Sequence, residues 1–387
     1  MKVVIVRSHL ETVSPRVIRN AETLAAQNYE VTILCWDRML SWDRKNKHPK
    51  IELKDNYIIR RFKLRATSGP GIIFFLPIWW SFVFLWLIKS NWDVVHAIEF
   101  DSVLPAIISA KIKRKRIIYE LNDIYIYMVP LPSIIKKIGL FIERLFTKFA
   151  DAVIIAEEAT IDEFNGIPNN NLVLIYNSPP DYFNNKNTPV LKEGIKAKDP
   201  FIIFYAGALF KYRNLNLDKL IDAVKSLDNN LKLIIAGYGD LVNEIKNWIA
   251  DANDKVQFIG KIEYNEVMER TEQCDLLVFL HDPGEHINRL ISSNKIFEAM
   301  MFGKPILVVK GGYTAEIVQR ENCGLLLDNL SAEKISGAIE MLRTDYGLRY
   351  MLGKNGKNAF DQKYSWKIMK SRLLGLYESM EGKCYTK

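Results

Sequence analysis

The residues whose types and spacing best suit a binding site lie together in the segment SSNKIFEAMMFGKP, at positions 292 to 305. Ser292 or Ser293 can cap a helix whose first residues include Asn294 and Lys295. The first turn of such a helix exposes free backbone N–H groups, and a lysine beside them adds a positive charge. This arrangement predicts a binding site for a diphosphate group.

Glu298 extends this site along the same helix. It lies about 6 Å along the helix axis from Asn294, where a carboxylate can accept hydrogen bonds from ribose hydroxyls. Lys295 and Glu298 can instead form an ordinary surface pair three residues apart. Because the helix follows a strand and a long loop, we favour the binding site.

Two further segments follow apolar runs that are typical of strands. AGYGD contains Gly237 and Gly239, where a ligand can approach the backbone closely, although a plain turn into a helix fits equally well. AGALFKYRN contains Lys211 and Arg213, which can bind phosphates, and arginine can do so through two parallel hydrogen bonds. Solvated surface cations are the alternative for this pair.

A fourth candidate is YELND, which places Glu120 and Asp123 at the end of a strand. There they can bind sugar hydroxyls or supply a base. Asp123 can alternatively cap the following helix.

Several motifs of metal and phosphate sites are missing from the sequence. It contains no Asp-x-Asp, the carboxylate pair that often holds a divalent metal with a sugar nucleotide, and no G-x-x-x-x-G-K-[ST] loop. The four cysteines lie far apart without a CxxC pair, so neither a zinc site nor a disulfide framework is predicted. We therefore expect neither a metal nor a cofactor, and we expect the protein to work in a reducing cytoplasm.

The elements that position these residues are short apolar runs that alternate with segments of helical periodicity. The runs are VVIV, VTILC, VVHAI, RIIY, DAVIIA and LVLIY, then FIIFYAG, LKLIIAGYG, VQFIG, DLLVFL, PILVV and GLLLD. This pattern is typical of parallel strands with helices on both faces, and it predicts an α/β fold of two tandem doubly wound, Rossmann-like domains. A stretch rich in Pro, Asn and Lys after Tyr176 predicts the linker.

The predicted boundaries follow from these breaks. They are a first domain at 1–180, a linker at 181–200, a second domain at 201–360, and a C-terminal segment at 361–387 whose helix packs back on the first domain.

The net charge of +8 belongs to the first part of the chain. Residues 1–150 contain 24 basic and 13 acidic residues, whereas residues 151–387 have a balance of −3. An anionic partner is therefore expected for the first domain. Nucleic acid fits the charge alone, but no recognition motif supports it.

Residues 71–88, GIIFFLPIWWSFVFLWLI, form an uncharged stretch at the lower limit of a membrane span. Pro77, Ser81 and three tryptophans, a residue type that favours the headgroup boundary, argue against a span. We predict a helix partly buried in its domain and partly in the membrane interface, with a fully buried helix as the alternative. Flanking basic clusters favour an anionic leaflet: Arg60, Arg61, Lys63 and Arg65 before the stretch, and Lys111, Lys113, Arg114, Lys115 and Arg116 after it.

The tandem domains, the GYGD loop, the KIFEAMMFGKP block and the YSW segment resemble family 4 glycosyltransferases of the GT-B fold over essentially the whole chain. The block SSNKIFEAMMFGKPILV is most similar to the subset that builds surface polysaccharides such as O-antigens. The resemblance implies a metal-independent enzyme that transfers a hexosyl or other glycosyl group from a nucleotide-diphosphate sugar, with retention of configuration. It further implies a lipid-linked saccharide acceptor and a peripheral location on the cytoplasmic face of the cell membrane.

By the same resemblance, Glu298 binds the ribose of the donor. Lys295 and Arg213 hold its diphosphate, and Lys211 is a further candidate for this role. Glu120 and Asp123 face the sugar or the acceptor, so these two and Glu298 are the predicted catalytic residues. The nucleobase lies near the GYGD loop and the Gly260–Lys261 turn. The complete predicted donor site is Gly207, Lys211, Arg213, Gly237, Gly239, Lys261, Ser293, Asn294, Lys295 and Glu298.

Three positions depart from the family pattern. Ala208 stands where the family frequently has arginine, and Leu290 stands where it commonly has glutamate. Asn122 lies near the position where the family frequently has histidine. The alternatives are therefore a non-catalytic, membrane-associated partner of the same fold, or a GT-B epimerase or phosphorylase. A nicotinamide dehydrogenase is disfavoured because no complete G-x-G-x-x-G follows a strand.

Overall fold

The computed structural model describes residues 1–10, 15–38, 48–66, 69–127, 132–184, 200–228, 230–252 and 254–381. The chain forms two compact units: Met1–Asn177 with Met369–Lys387, and Ser178–Ile368. Most of the predicted linker, together with Cys384, lies outside the described residues. The other three cysteines are buried free thiols.

The first unit is built around an eight-stranded sheet. Its strands are β1 (Lys2–Arg7), β2 (Glu30–Asp37), β3 (Ile51–Leu53), β4 (Tyr57–Lys63), β5 (Val94–Ile98), β6 (Arg116–Leu121), β7 (Ala152–Ile155) and β8 (Leu172–Leu174). They lie in the order β3-β4-β2-β1-β5-β6-β7-β8, and every pair is parallel except β3 with β4. The central strands β1 and β5 are apolar and buried along nearly their whole length, as expected where helices cover both faces.

Helices connect these strands. They are α1 (Pro15–Ala25), α2 (Leu76–Lys89), α3 (Phe100–Lys113), α4 (Ser133–Phe149) and α5 (Ala159–Glu163), with 3-10 turns at Gly69–Phe74 and Tyr125–Tyr127. The strand order reverses between β1 and β5, and the carboxyl ends of two such strands form the usual ligand crevice of an open parallel sheet.

The second unit contains a six-stranded parallel sheet. Its strands are β9 (Phe201–Ala208), β10 (Leu231–Tyr238), β11 (Val256–Gly260), β12 (Leu276–Phe279), β13 (Ile306–Val309) and β14 (Gly324–Leu327). The order β11-β10-β9-β12-β13-β14 reverses between β9 and β12, so a ligand crevice is expected at the carboxyl ends of these two strands.

The helices of the second unit follow the same alternation. They are α6 (Leu217–Ser226), α7 (Val242–Trp248), α8 (Tyr264–Gln273), α9 (His286–Leu290), α10 (Asn294–Met301), α11 (Tyr313–Glu321), α12 (Ala332–Thr344) and α13 (Tyr346–Ala359). Shorter turns are 3-10 at Asp181–Phe183 and Lys211–Arg213, and π-helical at Phe360–Tyr364. The predicted α/β architecture of two Rossmann-like domains is thus confirmed.

The last helix, α14 (Trp366–Glu381), belongs to the first unit from Met369 onward. Tyr377 is buried there, and its hydroxyl lies 2.9 Å from Nδ1 of His96 on β5. Arg372 also donates a hydrogen bond to the Leu174 carbonyl at 2.8 Å. The prediction that the C-terminal helix packs on the first domain is confirmed.

The uncharged stretch at 71–88 forms a 3-10 turn followed by α2, and one side of it is buried. Trp79 is fully buried and stacks on Trp36, with ring centroids 5.6 Å apart, whereas Phe74 is 80% exposed. The prediction that the tryptophans suit a membrane boundary is therefore wrong for Trp79. Within the described ranges, no helix has both the length and the apolar character needed to cross a membrane.

Several members of the flanking basic clusters are held by the protein itself. Arg61 is buried and pairs with Glu52, and Lys113 donates hydrogen bonds to the last carbonyls of α2. Lys115 pairs with Asp93, and Arg116 with Asp151. These four side chains are therefore already engaged within the protein, and the expected preference of the clusters for an anionic leaflet stays a prediction.

Candidate functional site

Lys295 lies across the carboxyl ends of β9 and β12. Its Nζ is 4.9 Å from the ring centroid of Tyr205 on β9 and 5.7 Å from that of Phe279 on β12. A Cβ atom at Gly207 would lie only 3.0 Å from this ammonium, so the glycine provides the space that the ammonium occupies. The cation thus lies at the point where the strand order reverses.

The electrostatics of Lys295 favour an anionic ligand. Burial lowers its pKa to about 8, Glu298 opposes this shift, and Arg213 adds to it. Two cations close enough to repel each other are stabilised when an anion lies between them. The ammonium remains mainly protonated at neutral pH.

The start of α10 is fixed next to this cation. The Ser293 Oγ accepts a hydrogen bond from the Lys295 backbone N–H at 3.4 Å, which confirms the predicted cap. The Ser293 N–H donates to the Thr314 hydroxyl at 3.1 Å, and that hydroxyl donates to the Ile291 carbonyl at 2.8 Å. Asn294, the first residue of α10, is exposed.

Glu298 lies one turn further along α10 and is only 6% exposed. The Tyr264 hydroxyl donates a hydrogen bond to its Oε1 at 3.1 Å, which fixes the carboxylate. Glu298 also acts electrostatically on Lys295. The predicted pair of Lys295 and Glu298 therefore shares one site with Arg213.

The glycines of the AGYGD loop serve the packing of the protein itself. A Cβ atom at Gly237 would lie 2.1 Å from the Gly207 carbonyl oxygen, and one at Gly239 equally close to the Leu209 carbonyl oxygen. Both residues have φ of 153°. The chain's own backbone therefore excludes a side chain at either position, and the expected approach of a ligand to this loop stays a prediction.

Two predicted cations lie in other surroundings. Lys211 pairs with Glu244 on α7, and its backbone N–H donates to Asp240 at 2.8 Å. The Lys261 ammonium lies 5.5 Å from the ring centroid of Tyr238. The contacts described for Lys211 and Lys261 do not include Lys295, Arg213 or Glu298.

The first unit carries a second polar cluster, where its own strand order reverses. Arg7, the last residue of β1, donates to Glu99 at 3.0 Å. Ser8 donates to Asp101, and Arg38 contacts both residues, at 2.5 Å from the serine Oγ and 3.4 Å from the carboxylate. Two cations and two carboxylates thus meet at the ends of β1 and β5.

This cluster has a strained backbone and shifted pKa values. Glu99 has φ of 67°, a left-handed conformation that is costly for a residue with a Cβ atom. Burial raises the pKa of Glu99 to about 7 although Arg7 opposes the shift, and burial with the two arginines lowers the pKa of His9 to about 3.

His9, Glu99 and Asp101 lie close enough together to hold a metal ion. Arg7 and Arg38 already supply the positive charge that these carboxylates need. The residues therefore fit a divalent cation poorly, and the predicted independence of metal stays a prediction.

Glu120 has no exposed atom and is engaged by three side chains. Arg16 donates to Oε1, Asn20 donates to Oε2 at 3.1 Å, and His96 Nε2 lies 2.7 Å from Oε2. Burial alone raises its pKa, but Arg16 and His96 outweigh that effect and hold the pKa at about 2. The predicted catalytic role is therefore wrong for Glu120, because its oxygens are occupied inside the protein.

Asp123 follows β6 and is half-buried. It is close enough to raise the pKa of Glu99, so it borders the polar cluster of the first unit. The residues after it form a 3-10 turn, Tyr125–Tyr127, rather than the predicted helix.

Two family models match the chain and together span most of its length. Residues 13–178 match "Glycosyltransferase Family 4", and residues 188–359 match "Glycosyl transferases group 1". The chain belongs to the family 4 glycosyltransferases. Its two Rossmann-like domains are those of the GT-B fold.

Several known proteins resemble the chain at low identity. An uncharacterized glycosyltransferase of Methanocaldococcus jannaschii is 23% identical over 365 residues, 86% of this chain and 88% of that protein. A GDP-mannose-dependent monoacylated alpha-(1-6)-phosphatidylinositol monomannoside mannosyltransferase of Corynebacterium glutamicum is 23% identical over 42% of this chain and 43% of its own. The structure of HepE from Anabaena, in complex with UDP and glucose, has a TM-score of 0.71 at 16% identity and covers 98% of this chain and all of that one.

The sequence reasoning missed several residues that share these sites. Tyr264 and His281 accompany the residues of the second unit, and Arg38, Glu99 and Asp101 form the core of the first cluster. The signal was present for His281 and Glu99, which directly follow predicted strands, and for Asp101, which lies three residues after one. Their partners come from distant parts of the chain, which strand patterns do not reveal.

Proposed function

We propose that the chain transfers a glycosyl group from a nucleotide-diphosphate sugar to a lipid-linked saccharide, with retention of the anomeric configuration. The observation that carries this proposal is the placement of Lys295. Its ammonium lies at the strand reversal of the second unit, beside the capped start of α10 and near a second cation, Arg213. A diphosphate is the anion that suits two cations and a helix N-terminus.

The donor then extends along α10. Lys295, Arg213 and the backbone of Asn294 hold the diphosphate, and Glu298 accepts hydrogen bonds from the ribose hydroxyls. The nucleobase lies toward the GYGD loop and Lys261. A structural neighbour, the HepE protein, binds UDP and glucose, which supports a nucleotide sugar as the donor class.

The reaction breaks the bond between the anomeric carbon and the diphosphate oxygen. The acceptor hydroxyl oxygen forms the new bond on the same face, and the departing diphosphate oxygen takes the hydroxyl proton. Lys295 and Arg213 stabilise the negative charge that develops on the diphosphate, as preorganised cations do in other enzymes. The cations supply the charge that a metal provides elsewhere, so we propose a metal-independent reaction.

The acceptor belongs to the first unit in this proposal. The polar cluster of Arg7, Arg38, Glu99, Asp101 and Asp123 offers both hydrogen-bond donors and acceptors, which suits a saccharide. The mannosyltransferase of Corynebacterium glutamicum, by its name, acts on a phosphatidylinositol mannoside, which supports a lipid-linked acceptor.

The surface of the first unit supports a peripheral location on an anionic membrane. One side of α4 exposes a row of large apolar side chains, and the turn before α2 adds Ile73 and Phe74. Lys137 and Lys148 are exposed on the same helix, α4. An exposed apolar row with lysines nearby is typical of helices that lie in a membrane interface. The row consists of Ile134, Ile135, Ile138, Phe141, Leu145 and Phe149.

The test is a transfer assay with cell lipids. Purified protein is incubated with a panel of nucleotide sugars and the lipid extract of cells lacking it, and lipid-linked saccharides are analysed by mass. We expect one lipid to gain the mass of one glycosyl residue, and Glu298→Ala or Lys295→Ala to abolish the gain while both variants stay folded. Full transfer by both variants would contradict the site.

A further inference from the structure

His281 is a buried polar residue that the proposed donor site does not yet use. It lies two residues after β12, at the strand reversal of the second unit, and is 5% exposed. Its ring stacks on Phe279 with centroids 4.0 Å apart. The Lys295 ammonium lies 5.7 Å from the centroid of the same Phe279 ring, so the imidazole and the ammonium both lie close to this ring.

Neither ring nitrogen of His281 has a hydrogen-bond partner among the residues that the structure describes. Burying an imidazole without partners is costly, so such a group points to a ligand that satisfies it. Asn288 acts on the His281 ring, and its Oδ1 is also buried and lacks a partner within the described ranges. The amide nitrogen of Asn288 is already used, because it donates to the carbonyls of Arg213 and Asp282 at 2.9 Å each.

These surroundings determine the protonation state of the His281 imidazole. Burial lowers the pKa of His281 well below its usual value, Lys295 and Arg213 add to this, and Asn288 opposes it as a hydrogen-bond acceptor does. The ring is therefore neutral, with one N–H donor and one lone pair. The Asn288 oxygen can only accept and could therefore pair with the ring N–H, which would leave the lone pair of the other nitrogen for a ligand that donates.

The lone pair can accept a hydrogen bond from only some parts of the proposed nucleotide sugar. The diphosphate oxygens only accept hydrogen bonds, so they cannot satisfy this nitrogen. A sugar hydroxyl donates one hydrogen bond and belongs to the glycosyl group that is bonded to the diphosphate. The His281 ring and the Lys295 ammonium both lie against the Phe279 ring, so a diphosphate held by Lys295 would bring the glycosyl group close to this nitrogen.

We propose that His281 accepts a hydrogen bond from a hydroxyl group of the donor sugar, oriented by Asn288. The inference rests on the proposed function and adds a residue that recognises the sugar rather than the nucleotide. His281 takes no proton in this role. It contributes to the choice of glycosyl group, because a sugar without a hydroxyl at this position leaves the nitrogen unsatisfied.

The test separates the sugar from the nucleotide. Wild type, His281→Phe and His281→Asn are titrated by calorimetry with UDP, GDP, UDP-glucose, UDP-galactose and GDP-mannose, and thermal unfolding is followed for each protein. Phenylalanine keeps the stacking on Phe279 but removes both nitrogens, whereas asparagine is smaller and keeps an accepting oxygen.

In His281→Phe we expect the affinity for the nucleotide sugar to fall about tenfold, and that for the matching nucleotide diphosphate to change by less than about twofold. His281→Asn retains part of the affinity for the sugar, and it decides the question if the phenylalanine variant does not fold. Equal losses for both ligands, no loss, or a wild type that binds UDP or GDP but none of the sugars would overturn the inference. A wild type that binds no nucleotide at all would overturn the proposed function itself.

Discussion

Lys295 is the residue whose charge matters most, and its titration provides a first prediction. With a pKa of about 8 it is charged below that pH and loses its charge above it. Since the diphosphate requires the cation, kcat/KM for the donor falls as pH rises through 8, by about tenfold per pH unit well above the pKa. Rate measurements between pH 6 and 10 check this.

The control for this pH profile is Lys295→Arg. Arginine stays protonated over the whole range, so the variant keeps a flat profile above pH 8 even if its activity is lower. A decline at the same pH in both proteins would assign the titration to another group.

Glu120 provides a prediction about stability rather than catalysis. Its pKa in the folded chain, about 2, lies below the usual 4.5, so the stability it contributes is complete above about pH 5 and is lost as pH falls toward 2. Glu120→Ala leaves Arg16 and His96 buried without their carboxylate, which costs about 3–5 kcal/mol in the free energy of unfolding.

Urea denaturation at pH 7 and pH 3 measures this effect. We expect a large difference in unfolding free energy between wild type and Glu120→Ala at pH 7, and a smaller one at pH 3. Nucleotide affinity, measured while the variant is folded, stays close to that of wild type. A folded Glu120→Ala with wild-type stability but no transfer would restore the catalytic role.

At the scale of the secondary-structure elements, the prediction concerns vesicle binding by the exposed apolar row of α4. Ile138 and Phe141 are 55% and 63% exposed, and each contributes about 1.5–3 kcal/mol when buried in an apolar environment. The double variant Ile138→Asp with Phe141→Asp should bind vesicles containing phosphatidylglycerol at least about 100-fold more weakly, measured by co-sedimentation.

Met351→Asp on α13 serves as the matched control, because Met351 is 43% exposed but belongs to the second unit. It should bind vesicles like wild type, and binding of both should decrease with salt. Unchanged binding by the double variant would remove α4 from the membrane contact.

The sequence predicted the strands and helix ends better than any other part of the fold. All twelve apolar runs became strands, and Ser293 caps α10 as expected, because both signals are local. The short edge strand β3 and its neighbour β4 were not among these runs, since β4 is YIIRRFK and carries charges.

The candidate site was predicted less completely for physical reasons. Side chains alternate along a strand, so Tyr119 is near Glu143 on α4 whereas its neighbour Glu120 meets Arg16 on α1. A strand pattern gives the end of the strand but not which face a residue occupies. His281 was missed because its significance lies in the absence of partners among the described residues, which only coordinates reveal.

At the scale of the whole molecule, the charge difference between the two halves acquires an interpretation. The excess of positive charge lies in the first unit, where part of it is used internally by Glu52, Asp93 and Asp151. The second unit has only a few cations at its strand reversal, yet these few are the ones that hold the donor in our proposal. Local placement therefore matters more than net charge for the chemistry.

The most direct test of the central claim is a calorimetric titration of wild type and Lys295→Ala with UDP and GDP. The account predicts that wild type binds at least one of them, and that Lys295→Ala loses at least about tenfold in affinity while its unfolding temperature stays close to that of wild type. Equal affinities of the two proteins for the same nucleotide would contradict a diphosphate site at Lys295.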